Sequence, residues 1–260
     1  MSQRTQRMRE RLFEQMPKVC AERCVIFTES MKRSQGKPIA IRRADAFYDV
    51  LNNMTIYVGE DELIIGNQAK WPKSSPIYPE YSVDWLYQEL NGDPYPLDQR
   101  PGDRFVCDPE VKEQILECLD FWRGKSLYES LRKSLPEEIN QAWEANAIDD
   151  TWVSAAGLGN IVSDFETVVN KGLTDVMDRI SRRLETLDPR EPGNVRKRWF
   201  LEAALKGNQA VLNFSDRYAR ECRRQAEICK DETRRGELLE LAEICSNVPR
   251  NPARTFHEAV

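Results

Sequence analysis

The chain has 260 residues, of which 40% are hydrophobic and 31% charged, with a formal net charge of −5. That length can bury a real core, as one large domain or two modest ones, and the balance excludes a disordered chain. A net negative chain has no general attraction to nucleic acid or anionic membrane, and no stretch approaches the ~20 apolar residues that a bilayer span needs.

The first residues, MSQRTQRMRERLFEQM, lack the apolar core of a secretory signal. Their arginines resemble those of a transit peptide, but Glu10 and Glu14 argue against one, so the expected location is cytoplasmic. Residues 9–34 are mostly charged, with Leu12, Met16, Val19, Ile26 and Phe27 near helical spacing. Pro17 falls inside that pattern and predicts either a break or a helix start there. KPIAIRRADAFYDVLNNM predicts a second helix ending around Asn52–Asn53. TIYVGEDELIIG reads as two short β runs joined by Gly59-Glu60-Asp61, a hairpin pattern. Residues 70–81 then carry three prolines and two serines and lose all periodicity.

SVDWLYQEL predicts a short amphipathic helix, followed by a Pro/Gly/Asp-rich connection from Asn91 to Arg104. Asp108-Pro109-Glu110 is a helix start, with Asp at the cap, Pro in the first turn and Glu at the positive end of the dipole. That helix is expected to reach about Trp122 and stop at Gly124. Ser134 with Glu137, and Ser163 with Glu166, have capping-box spacing, the second opening a long helix from Asp164 toward Leu187. The longest helical pattern runs from Val195 to Lys230, with Phe200, Ala204, Val211, Tyr218, Cys222 and Cys229 close to one face. Gly207, Asn208 and Ser215 interrupt that stripe, pointing to close backbone packing or internal polar contacts. A further helix is expected over 232–246, and a last one in ARTFHEAV. Ending in mid-helix, without a stop signal, is unusual for a complete domain.

The residues locate little chemistry. Seven cysteines without a Cys-x-x-Cys pair argue against a disulfide framework or zinc ribbon and predict reduced thiols packed as small hydrophobes. The single histidine, His257, lies four residues from the end, so Ser-His or Cys-His catalysis has no support, and no metal set is expected. Gly157-Leu158-Gly159 lacks the third glycine of a dinucleotide loop and reads as a helix-entry turn. Glu60, Asp61 and Glu62 are able to do acid–base work in principle, although a hairpin turn normally leaves such groups solvated. Arg196-Lys197-Arg198-Trp199 imitates a nucleic-acid patch but reads as the exposed start of a helix.

An ordered series of segments carries a resemblance. ERCVIFTES, KPIAIRRADAFYDVLNN, TIYVGEDELIIGNQA, SSPIYPEYSVDWL, WRGKSL, DFETVVNKGL and the stretch from RYARECRRQAEICKDE to NPARTFHEA resemble the N-terminal part of glycyl radical enzymes of the pyruvate formate-lyase-like family. The similarity is greatest to the subgroup of diol and amino-acid dehydratases and related lyases, also described as formate acetyltransferases. The resemblance implies a mainly α fold with a short β hairpin, residues 1–260 forming the N-terminal shell portion of a ten-stranded α/β barrel. In that shell the proline-rich segment is a stiffened connector wedged between helices, which Asn67 and Gln68 would tie down.

The implied chemistry is radical chemistry. A backbone glycyl radical converts a cysteine to a thiyl, which removes a hydrogen from a small polar metabolite so that a neighbouring group or bond is lost. The resemblance also implies a separate radical S-adenosylmethionine activating enzyme. This sequence has neither the Arg-Val-x-Gly-Tyr glycine motif nor the Gly-Cys-Val-Glu-like loop of the family. Cys20-Ala21-Glu22 matches Cys-x-Glu only in spacing, lies in the N-terminal helical region and is assigned no catalytic role. The expectation is therefore a truncated or split member, inactive alone, that binds no cofactor itself. Its implied partners are the substrate of the complete enzyme, the activating enzyme, and a second copy or the missing C-terminal portion. The alternative is a non-catalytic helical remnant or docking subunit. Where glycerol-dehydratase-like members have Gly-x-Gly-His, this chain has Gly157-Leu158-Gly159-Asn160, so the resemblance implies a substrate contact at Asn160. A helix-entry turn remains the plain reading of the same residue.

Overall fold

A computed structural model of the chain describes residues 2–148 and 163–260. The chain divides into two compact units, one comprising Met1–Leu12, Ile26–Pro72 and Ser163–Val260, the other Phe13–Val25 and Lys73–Val162. The described residues are mainly helical, with one two-stranded sheet.

The first unit holds most of α1 (Gln3–Glu14) and of α2 (Glu22–Arg33), with α3 (Ile39–Asn53), α8 (Phe165–Glu185), α9 (Pro192–Ile228), α10 (Glu232–Asn247) and α11 (Phe256–Ala259). Its spine is α9, 37 residues long, packed against α3, α8 and α10. Pro192 sits in the first turn of α9, where its missing N–H costs nothing. Tyr218, Cys222 and Ala226 recur every four residues on α9 and meet Leu238, Leu241 and Ala242 of α10. Each fully buried leucine there contributes about 2 kcal/mol. The lower half of α9 follows the expected stripe, whereas Phe200 in its upper half is 66% exposed. Gly207 does not mark a close approach, because a methyl group there would meet open space. Ser215 does mark an internal polar contact: its hydroxyl donates to the carbonyls of Cys245 at 2.6 Å and Val248 at 2.8 Å.

The expected hairpin over residues 55–66 is not formed. Gly59 does turn the chain, accepting from the Glu62 N–H at 3.2 Å, but no ladder joins the two arms. Ile56, Val58 and Ile65 instead pack on the α9–α10 core. Side chains from the helices then satisfy the backbone. Arg234 donates to the carbonyls of Gly59 (2.7 Å) and Glu62 (2.9 Å), Gln225 to Val58, and Asn67 to Thr55 (2.7 Å). With its carbonyls occupied in this way, each arm lies on the helices rather than on the other.

α8 contains the sharpest backbone feature. Gly172 adopts φ 77° and ψ 165°, splitting α8 in two. The opened turn lets Leu173 N donate to Pro249 O (2.8 Å), Thr174 N to Arg250 O (3.1 Å), and Ala253 N to Val169 O (2.9 Å). The Asp164 side chain caps α8 by accepting from Thr167 N at 3.1 Å, one residue later than the Ser163–Glu166 box predicts.

Among its described residues the second unit holds the sheet and the helices α4 (Asp84–Leu90), α5 (Pro109–Trp122), α6 (Leu127–Ser134) and α7 (Glu137–Glu144). Pro17 ends the first helical run as expected, and β1 (Lys18–Cys20) pairs in parallel with β2 (Ser74–Pro76), Val19 opposite Ser75. The strands thus come from distant segments, one of them the proline-rich stretch. Arg23 pins that stretch: it donates to Glu80 at 2.6 Å and to Ile77 O at 3.3 Å, and lies 3.8 Å over the Tyr78 ring. Leu127 N and Tyr128 N donate to Glu80 O and Tyr81 O, both at 2.9 Å. α5 buries Ile115, Cys118, Leu119 and Trp122, a single helical face, and Asp108 and Pro109 open it as expected. The capping box forms at Ser126 and Glu129, not at Ser134 and Glu137. Ser134 is the last residue of α6, and Pro136 holds the cap position of α7.

Candidate functional site

In the acidic turn at Glu60-Asp61-Glu62, Glu60 is solvated as expected, its side chain 85% exposed, but Asp61 is not. The Asp61 side chain is 6% exposed and pairs with both Arg7 and Arg11 of α1, while Arg4 lies 4.0 Å away. Glu60 faces Arg11 at 3.5 Å, and Glu62 accepts from Gly59 N at 2.8 Å. A carboxylate met by guanidinium groups forms strong, directional charge-assisted bonds. The turn is a docking point for α1.

His257 is also structural here. Its Nε2 lies 2.6 Å from Leu63 O, and its Nδ1 lies 3.7 Å from Glu240. Arg196, Lys197, Arg198 and Trp199 fall in the first turns of α9, where Arg198 pairs with Glu202 at 2.8 Å, as an exposed helix start would. The seven cysteines are free thiols. Cys20 is 1% exposed within β1. A hydrogen bond with Cys118, together with burial, raises the Cys24 thiol well above its ordinary value. Burial pushes Cys222 up to about 12 and Cys245 up to about 11. Cys24, Cys222 and Cys245 therefore stay protonated at neutral pH and pack as small hydrophobes, not as thiolate nucleophiles.

Asn160, with the glycine loop at 157–159, lies outside the described residues. Asn67 does tie backbone down, but at Thr55 and Ala69 rather than within the proline-rich stretch at 70–81. Its amide donates to the carbonyls of Thr55 and Ala69, both at 2.7 Å, while its oxygen accepts from the Tyr218 hydroxyl. Burial raises the pKa of that hydroxyl, keeping it a donor. A second polar row on α9 has no clear sequence signal. Asn213 donates to Tyr48 Oη (3.2 Å) and Asn52 Oδ1 (3.0 Å), and accepts from Gln209 (2.8 Å). Its only trace is the spacing of four between Gln209 and Asn213, which any solvated helix face shares.

A cleft of about 380 Å³ on α9 is lined by Ile56, Arg217, Arg220, Glu221 and Arg224. Much of its charge is spent internally. Arg217 donates to the carbonyls of Leu51 and Met54, both at 2.5 Å, capping α3. Arg224 grips Glu221 with two bonds (2.7 and 2.8 Å) and holds that carboxyl below its usual range. The cleft positions cations but contains no nucleophile. Among the described residues there is also no group of three or more His, Cys, Asp or Glu able to hold a metal, and no helix long and apolar enough to cross a membrane.

A family model described as "Pyruvate formate lyase-like" matches residues 1–260. Isethionate sulfite-lyase of Nitratidesulfovibrio vulgaris is 34% identical over 253 residues, which is 94% of this chain and 30% of the relative. A solved structure of 1,2-propanediol dehydration in Roseburia inulinivorans matches with a TM-score of 0.94 and 32% identity, over 100% of this chain and 30% of that one. The glycerol-bound form of the B12-independent glycerol dehydratase from Clostridium butyricum matches with a TM-score of 0.94 and 30% identity, over 100% of this chain and 32% of that one. The chain spans about a third of the length of the relatives it matches.

Proposed function

Because the chain belongs to the pyruvate formate lyase-like family and corresponds to an N-terminal part of glycyl radical enzymes of the dehydratase and lyase subgroup, we propose that it is the shell of such an enzyme. In this reading the helices wrap a ten-stranded α/β barrel built by polypeptide outside these residues. That polypeptide also carries the thiyl cysteine and the radical glycine, installed by an S-adenosylmethionine-dependent activating enzyme. The complete protein removes a group from a small polar metabolite by hydrogen abstraction. The observation that carries this reading is the match over 100% of the chain to about 30% of a diol-dehydrating structure.

Two features support the division of labour. Phe256 is 85%, Ile228 70% and Phe200 66% exposed, and large apolar side chains left in water favour a covering surface. The buried thiols that the chain does carry are held as packing groups. Free thiols also fit a reducing compartment, and we place the enzyme in the cytoplasm.

The test is electron paramagnetic resonance under anaerobic conditions. The 260-residue chain, mixed with a cognate activating enzyme and S-adenosylmethionine, is expected to give no glycyl radical doublet, and the same chain completed by the rest of the enzyme is expected to give one. A doublet from the 260 residues alone would overturn the reading.

Within the completed enzyme, we assign to Asn160 a hydrogen bond to a substrate hydroxyl. An amide both donates and accepts, but carries no charge, so it favours a neutral polar group. Replacing Asn160 with Ala is expected to raise KM by about tenfold, the scale of one lost neutral hydrogen bond. An unchanged KM would leave Asn160 as a turn residue only.

A further inference from the structure

α1 is fastened differently from every other long helix of its unit. It buries no residue along Gln3–Glu14, and its apolar side chains Met8 and Leu12 are 41% and 50% exposed. What fastens it is charge. Arg4, Arg7 and Arg11 recur at three- and four-residue spacing and so share one face, which lies on Asp61, Glu60 and Glu237. The receiving surface is built for this. Asp61 is nearly buried, Glu237 is 18% exposed, and Arg234 holds Glu237 from the other side at 3.0 Å while anchoring the carbonyls of Gly59 and Glu62. Lifting α1 away would leave an acidic recess of Glu60, Asp61, Glu62 and Glu237 facing Arg234.

We propose that α1 is a detachable strap, an arginine-bearing helix whose docking onto the recess around Asp61 is governed by ionic strength. Guanidinium–carboxylate bonds direct α1 to a single register, yet they weaken in salt far more than an apolar interface does. The rest of the unit is fastened by the α9–α10 core, which no residue of α1 enters.

Hydrogen exchange read by mass spectrometry on the 260-residue chain tests this. At about 0.02 M salt the α1 amides are expected to be protected, and at about 0.5 M to exchange at least about tenfold faster, with α3 and α9 unchanged. Asp61→Asn keeps the shape of the side chain and removes its charge, so α1 should be released even at low salt. The double variant Arg7→Gln/Arg11→Gln changes only a helix that buries nothing, and should release α1 with the body intact. Wild-type protection of α1 in that double variant would overturn the proposal. So would opening of α1 only together with α3 and α9.

Discussion

Replacing Gly172 with alanine is expected to destabilise the chain by about 3–5 kcal/mol, a large share of the roughly 5–15 kcal/mol that holds a typical domain. The backbone at φ 77°, ψ 165° lies in a region essentially reserved for glycine, and a side chain there costs about 1–3 kcal/mol. A methyl group would also collide with backbone, namely the Arg250 carbonyl oxygen and Asn251 C and Cα, the last two 2.6 and 2.7 Å away. Backbone cannot rotate aside as a side-chain tip can. The 249–253 segment would have to retreat, putting at risk the bonds from Leu173 to Pro249 and from Thr174 to Arg250, each worth about 1 kcal/mol. Urea unfolding followed by circular dichroism measures the loss. A midpoint equal to that of the wild type would mean that the kink relaxes freely. Gly207→Ala is the matched control, since a methyl group there meets nothing.

Asn67→Ala is expected to cost about 3 kcal/mol. The side chain joins three groups, the carbonyls of Thr55 and Ala69 and the hydroxyl of Tyr218, which is 3% exposed. Alanine removes one bond from each of the three and leaves the buried Tyr218 hydroxyl without its Asn67 acceptor, and an unsatisfied buried group costs more than the bond itself was worth. Tyr218→Phe removes donor and need together, so it should cost only about 1 kcal/mol. Combining both changes should cost less than the sum, because the second removes a penalty created by the first. Strict additivity in the double variant, measured by the same unfolding midpoints, would mean that the Asn67–Tyr218 bond does not couple the two residues.

Much of the helical layout is legible in the residues. Asn53, Trp122 and the 232–246 stretch end or span helices where apolar periodicity and breakers say they should, because those signals act within a turn or two of chain. The motifs quoted for the resemblance also identify the family, since they depend on residue order alone. The hairpin failed for a physical reason: strand propensity describes a half-buried pleated surface and says nothing about what covers it. Ile56, Val58 and Ile65 found that surface on α9 and α10, and Arg234, Gln225 and Asn67 took the carbonyls that a sheet would have used.

Composition and local pattern by themselves determined a mainly helical, net-negative chain whose cysteines are free thiols. Only the tertiary structure decided that the acidic turn is a receptor for α1 and that β1 pairs with the proline-rich segment. It alone decided that Gly172 opens a helix to admit another segment's backbone. The reason is range: capping and periodicity are set by neighbours a few residues away. Arg7 meeting Asp61, or Leu173 meeting Pro249, depends on where distant chain is brought by the packing of a shared core.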